Sequence, residues 1–389
     1  MTASDTAAPS LLDAAALLAE KVEELVVRSA RDVHGAVNDR VGVGTRLIPG
    51  AAIPDAAQRG ISGSVYGGLG LTLRGLVTGL DKAADVAAEH GWGQGLEETG
   101  HGRFVQAVVN GLIGDRLAEE RPRLAIRMSV RRDDADVPLD GLPEAFPDAT
   151  GRVVVFLHGL CESESAWRLQ RDRVGATYPD MLAARGWTPV LLRANTGLPL
   201  RENGIALASL LGRLVTQWPV PVTRIALVGH SMGGLVMRAA GAVTDAEDTW
   251  TSLVSDVVTL GTPHLGAPMA AFAGWGSRTL GRVPETTAFG RILDQRSAGI
   301  LDLVAGLGEE VSPLPQARYR LVAGTVRHRD HLLSRVAGDL LVRPSSAFGV
   351  DRVGRTLFPV GEVLHVDGAG HFALLNHPEV HAALRRWLA

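Results

Sequence analysis

Ser231 stands in G-H-S-M-G-G, residues 229–234, after the apolar run Arg224-Ile225-Ala226-Leu227-Val228 and before L-V-M-R-A-A-G-A-V. A short run of aliphatic and β-branched residues predicts a buried strand, and the segment from Gly234 predicts a helix. Ser231 is therefore expected on a sharp strand-to-helix turn. Such a turn leaves no room for side chains two residues to either side, and Gly229 and Gly233 are the small residues it needs. This is the arrangement of a nucleophile elbow, in which a serine Oγ stands above the end of a sheet. A glycine-rich turn with an incidental serine reads the same over six residues. The assignment thus depends on partners elsewhere in the chain.

A hydroxyl is a weak nucleophile near neutral pH. It needs a base within hydrogen-bond reach, and that base needs a carboxylate to orient it. On elbows of this kind the order along the chain is serine, acid, histidine. His371, in V-D-G-A-G-H-F, follows the expected last strand on a glycine-rich loop, which is where a base belongs. His365 falls within that strand, and His377 and His381 belong to the final helix and its approach. Asp339, in A-G-D-L-L-V-R-P-S-S, has the right order for the acid. Asp330 is an alternative, although R-H-R-D-H reads as a solvated loop, and Asp367 is close to His371 in sequence for the usual arrangement. The developing oxyanion needs donors, and the candidates are the main-chain N–H groups of Met232 and of Leu160, in H-G-L at 158–160. Cys161 has no base at a recognisable spacing and reads as a small packed residue.

These residues must be held by a fold, and the chain has the means. Its 389 residues allow one large domain, or one domain with a substantial extension, and the 46 % hydrophobic content supplies a sizeable core. A net charge of −3 gives no electrostatic case for nucleic acid. Cys161 is the single cysteine, so no intrachain disulfide can form. The N-terminal M-T-A-S-D-T-A-A-P-S lacks the basic and apolar regions of a secretory signal, and a cytoplasmic location is the expectation.

From Gly151 onward, short apolar runs alternate with longer helical patterns. Strands are expected at 153–157, 189–192, 224–228, 254–260, 319–322 and 362–366, with helices at 181–185, 205–218 and 378–388. That alternation predicts an α/β fold, a mostly parallel sheet with helices on both faces and its active site at the carboxyl ends of the strands. His158, Ser231, Thr262 and the loop after Val366 all lie just past expected strand ends.

With H-G-L at 158–160, G-H-S-M-G-G at 229–234, G-T-P-H-L-G-A-P at 261–268, G-D-L-L-V-R-P-S-S at 338–346 and G-A-G-H-F-A-L-L-N-H-P at 368–378, the chain resembles an α/β hydrolase. The likeness is to bacterial lipases and esterases and the related GPI inositol-deacylase-like branch, over residues 151–389. The resemblance implies hydrolysis of carboxylic esters through Ser231, Asp339 and His371, with neither metal nor organic cofactor, on a small-molecule or lipid acyl ester. It also implies that the insertion at about 268–318 forms a cap. Ile292, Leu293, Ile300, Leu301, Leu303, Val304 and Leu307 could line an apolar acyl site there, or simply pack the cap onto the core.

Residues 1–150 differ in texture and read as a helical extension of unknown role. Leu11, Ala15, Leu18, Val22 and Leu25 keep helical spacing, as do Val105, Val108, Val109, Leu112 and Ile113 within 104–117. Residues 61–80 are long enough to span a bilayer, but Arg74 and dense glycines favour a helix buried against the protein, with a membrane-surface or partner-facing helix as the alternative. The apolar stripes predict packing onto the hydrolase portion, near the cap. Asp133 to Ala149, acidic and proline-bearing, reads as a linker. Two functional classes follow. One is a serine esterase or lipase, with thioesterase, amidase and acyltransferase on the same machinery; the other is a partner-binding module without catalysis.

Overall fold

The computed structural model describes residues 100–243, 249–267, 297–308, 311–326 and 338–389. The expected helices at 11–25 and 61–80, most of the cap insertion, Ile292, Leu293 and Asp330 lie outside the described residues.

Eight strands form one sheet in the order β2-β1-β4-β3-β5-β6-β7-β8. These are β1 (Ser129–Arg132), β2 (Ala135–Val137), β3 (Arg152–Leu157), β4 (Thr188–Arg193), β5 (Arg224–His230), β6 (Val254–Leu260), β7 (Arg318–Thr325) and β8 (Glu362–Asp367). Strands β3 to β8 run parallel; β1 is antiparallel to both β2 and β4. In β3, Val153, Val154, Val155 and Phe156 are all fully buried. A strand covered on both faces has no solvent side, which is why this one reads as an unbroken apolar run rather than an alternation.

The helices that matter for the site are α1 (Gly100–Glu120), α2 (Tyr178–Ala183), α3 (Leu200–Gln217), α4 (Met232–Ala242), α5 (Ala298–Ala305) and α6 (Pro378–Trp387). Helix α3 buries Leu200, Leu207, Leu211 and Leu214, a stripe at three- and four-residue spacing. One core cluster joins Phe156, Trp167, Tyr178, Leu182, Trp187, Val228, Val258, Leu374, Leu384 and Trp387, and so ties the centre of the sheet to α2 and α6.

The reading of 133–149 as a linker is corrected. Asp133 and Asp134, with φ of 50° and 66°, are the two-residue turn of the β1–β2 hairpin. A two-residue hairpin loop of the primed type needs positive φ at both positions, and aspartate tolerates it. The acidity taken as a solvated linker is the chemistry of a tight turn. The hairpin is fixed from beneath: Arg131, fully buried, donates to Glu164 at 3.0 Å and to Asp136 at 2.8 Å.

The division at residue 150 shifts with it. From Arg103 the described chain belongs to the same compact unit as the sheet. Helix α1 buries Val108, Val109, Leu112 and Leu117, and Asn110 holds the chain that follows by donating to Leu124 O and accepting from Ile126 N–H. Residues 103–120 thus lie in the same unit as the sheet, whereas the earlier stripes lie outside the described residues. Helix α5 meets α1 through Ser297 Oγ, which donates to Gly111 O at 2.8 Å, and through Asp115, which accepts from Ala298 N–H at 2.9 Å. Of the proposed cap lining, Ile300 and Leu303 are buried and Leu301 is exposed.

Candidate active site

Strand β5 delivers the serine. Ser231 has φ 51° and ψ −121°, a conformation that costs a non-glycine residue of order 1–3 kcal/mol and persists only where its surroundings over-determine it. Backbone crowding does so here. A Cβ at Gly229 would fall 2.6 Å from Gly234 N, and one at Gly233 would fall 2.3 Å from Leu157 O. Both glycines of the elbow are thus required by close approach of main chain. Ser231 N–H donates to Leu260 O at 2.8 Å, and Thr262 Oγ1 donates to Ser231 O at 2.9 Å, so strand β6 and its loop complete the clamp.

The loop after β8 delivers His371, and the loop after β7 delivers Asp339. His371 Nδ1 lies 2.7 Å from Asp339 Oδ2, with both side chains almost wholly buried. Asp339 is itself oriented, since its Oδ1 accepts from the N–H groups of Leu341 and Val342 at 3.0 and 2.8 Å. The two loops are joined again by His371 N–H donating to Asp339 O at 3.1 Å. Burial is the largest influence on the imidazole and disfavours its charged form. The charge and hydrogen bond of Asp339, together with the charge of Glu162, outweigh it, so His371 binds its proton more tightly than an ordinary histidine.

Ser231 approaches this pair through its neighbour. The ring of His230 packs against that of His371 with centroids 4.8 Å apart. Ser231 Oγ makes no hydrogen bond to the imidazole within the described residues. Gly159 closes over the serine, because a Cβ there would lie 2.9 Å from Ser231 Cβ.

The expected oxyanion donors lie on the two turns that flank this point. Met232 is the first residue of α4, so helix geometry leaves its N–H without an intrahelical acceptor. Leu160 sits in the turn after β3, closed by Glu162 N–H donating to Gly159 O at 3.2 Å. Next to it, Cys161 adopts φ 58° and its N–H donates to Thr196 Oγ1 at 3.1 Å. Burial pushes the Cys161 thiol well above its usual range, with the nearby Glu162 charge adding to it. A protonated, enclosed thiol is no nucleophile.

Five other histidines among the described residues are occupied elsewhere. His158 Nε2 accepts from Ala194 N–H at 3.1 Å, so its proton is on Nδ1, facing Gly159 O at 2.9 Å. His264 pairs with Thr259 and His365 with Thr325. His377 caps α6 by accepting from Glu379 N–H, and His381 packs on the ring of Tyr178. His328 and His331 lie outside the described residues.

Two residues went unnoticed in the sequence. Glu162 accepts from Gly159 N–H at 2.8 Å and holds His230 Nδ1 at 2.9 Å, which puts a carboxylate beside the elbow and the β3 turn at once. The only signal was an acidic residue four places after His158, with nothing in the sequence to say it is buried.

A parallel sheet with an antiparallel edge, a strained serine between its fifth strand and the following helix, and a histidine–aspartate pair from its last two loops leave one architecture. The fold is that of the α/β hydrolases. Residues 206–275, which carry α3, the elbow and β6, match the family described as the PGAP1-like alpha/beta domain. No curated protein matches this chain. Among solved α/β-hydrolase structures similar to it, a Bacillus licheniformis lipase in mature form is 21 % identical. It covers 61 % of this chain and 92 % of its own, with a TM-score of 0.45. An esterase from a Rhodococcus species is 17 % identical over 62 % of this chain and 92 % of its own, with a TM-score of 0.40. A thermophilic esterase from Thermogutta terrifontis is 16 % identical over 62 % and 90 %, with a TM-score of 0.38.

Proposed function

We propose that this α/β hydrolase is a serine hydrolase of carboxylic esters, with Ser231 as nucleophile, His371 as base and Asp339 as the acid that orients it. The observation that carries the reading is the 2.7 Å contact between His371 Nδ1 and Asp339 Oδ2, formed beside a serine held at φ 51°. With Nδ1–H committed to the carboxylate, Nε2 is the nitrogen left to act as base.

In the first half-reaction Ser231 Oγ bonds to the acyl carbon and its proton passes to His371 Nε2. The carbonyl oxygen becomes an anion facing the N–H groups of Met232 and Leu160. Collapse of the tetrahedral intermediate breaks the bond to the leaving alkoxide, which takes the proton back from Nε2 and departs as an alcohol. Water then repeats the sequence on the acyl-serine: its proton goes to Nε2, its oxygen to the acyl carbon, and the carboxylic acid leaves with Ser231 restored. The base must be neutral to begin. Because His371 holds its proton more tightly than usual, activity should rise with pH through a midpoint above that of an ordinary histidine.

The test is covalent labelling by a fluorophosphonate together with a panel of esters and thioesters of graded acyl length. Ser231→Ala should remove labelling and turnover while the protein stays folded. Asp339→Asn should also stay folded and lose up to about 10⁴-fold in turnover, through the wrong tautomer and an unpartnered imidazolium. A labelled, active Ser231→Ala variant would overturn the reading. A wild-type protein that takes no label and cleaves no substrate would point to the partner-binding alternative.

A further inference from the structure

Glu162 and His230 form a buried pair that the triad chemistry does not use. His230 is wholly buried, and the Glu162 side chain is 9 % exposed. Their contacts define a proton inventory. His230 Nε2 faces His371 O at 3.4 Å, and a carbonyl can only accept, so Nε2 carries a hydrogen. His230 Nδ1 lies 2.9 Å from Glu162 Oε1 and 3.0 Å from Oε2, and one further proton must sit between the nitrogen and the carboxyl group. Glu162 Oε2 meanwhile accepts from Gly159 N–H at 2.8 Å. Burial alone would push the Glu162 carboxyl up. The contact with His230 and the Gly159 N–H outweigh it and hold the carboxyl below its usual range.

His371 must become an imidazolium while its ring lies 4.8 Å from that of His230. The Glu162 charge favours this change. The titratable groups facing His371 are then Asp339 from the β7 loop, Glu162 from the β3 turn and His230 from the β5 elbow, with His158 beside Glu162. Gly159 precedes Leu160, so the carboxylate that supports the base also anchors the turn carrying an oxyanion donor.

We propose that Glu162 is a positioning residue of the hydrolytic site, a buried anion that sets the β3 oxyanion turn through Gly159 N–H and supports protonation of His371 through His230. This rests on the ester-hydrolase reading above. One ionised group would then tie together the two parts of the site that must agree in space, the donor for the oxyanion and the base.

The test compares the pH dependence of kcat/KM for wild type, Glu162→Gln and Glu162→Asp on a short soluble ester, with thermal melts as a check on folding. Glu162→Gln keeps the size of the side chain and loses the charge, and its single oxygen can take the place of Oε2, which lies 2.8 Å from Gly159 N and 3.0 Å from His230 Nδ1. Its kcat should fall by about 10- to 100-fold with little change in KM. Its acid limb should move about one unit lower, because removal of an anion weakens proton binding by His371. A rate lowered by mere loosening of structure would leave that limb in place. Glu162→Asp keeps the charge but is one methylene short of reaching both partners, so the limb should stay while kcat falls several-fold. An unmoved limb in a folded Glu162→Gln overturns the proposal. Should Glu162→Gln not fold, a Glu162→Asp variant with wild-type kcat overturns it equally. A wild type without esterase activity would instead remove the reading on which it rests.

Discussion

Two turns meet at the candidate centre, and they are held in unlike ways. The elbow at 229–234 is fixed by crowding of main chain against main chain, with Gly229 under Gly234 N and Gly233 under Leu157 O. The turn after β3 is fixed from a distance by side chains and a packed helix. Thr196 Oγ1 takes Cys161 N–H, Glu162 takes Gly159 N–H and His230, and α1 presses Gly111 against Cys161, where a Cβ would lie 2.3 Å from Sγ. A segment restrained by backbone crowding reveals itself as glycines at fixed spacing. One restrained by remote side chains leaves no local pattern.

The sharpest way to break this contrast is Gly233→Ala. The new methyl would meet Leu157 O at 2.3 Å and His158 O at 2.7 Å, both main-chain atoms at the end of a strand buried on both faces. Little can give way. The expected loss is about 3 kcal/mol or more, a fall in melting temperature of roughly 6–12 °C, with fluorophosphonate labelling abolished. A melt indistinguishable from wild type would show that the elbow is not held by crowding.

At the β3 turn the nearest obstructing atom belongs to a side chain, so part of the obstruction can be relieved. Gly111→Ala should cost about 1–3 kcal/mol and slow turnover by displacing the turn. Adding Cys161→Ala removes the nearest obstructing atom, Sγ at 2.3 Å, but leaves Cys161 N at 2.9 Å. The double variant should recover part of the loss, with a coupling of about 0.5–3 kcal/mol in a double-mutant cycle read by denaturant melts. Strict additivity would mean that α1 is not seated against Cys161.

The smallest effect belongs to Cys161→Ala alone. Loss of one small buried atom should cost about 1 kcal/mol and leave labelling and turnover unchanged. Loss of the label in that variant would transfer the nucleophile from Ser231 to Cys161.

Much of this was legible in the residues. The strands β3 to β8 and the helices α3 and α6 were expected within a few positions, because parallel strands and amphipathic helices are written in the periodicity of their apolar residues. Asp339 was favoured by its order in the chain, with Asp330 in a polar run and Asp367 close to His371 in sequence, and its Oδ2 lies 2.7 Å from His371 Nδ1. The β1–β2 hairpin was missed because its strands are four and three residues long, and its Asp133-Asp134 turn has the composition of a loop. Residues 104–117 read as an amphipathic stretch and lie within α1, but nothing in the pattern says which surface such a helix covers.

The sequence by itself determined the glycine-flanked turn at Ser231, the chain order of Ser231, Asp339 and His371, and the class of fold, since each follows from steric or periodic constraints acting over a few residues or from position in the chain. Only the tertiary structure decided that Glu162 and His230 stand together beside His371, and that α1 from Arg103 and the β1–β2 hairpin belong to the unit that holds the sheet. Burial and hydrogen bonding between residues 35 to 70 positions apart depend on where the sheet brings its strand ends, and no local pattern encodes that.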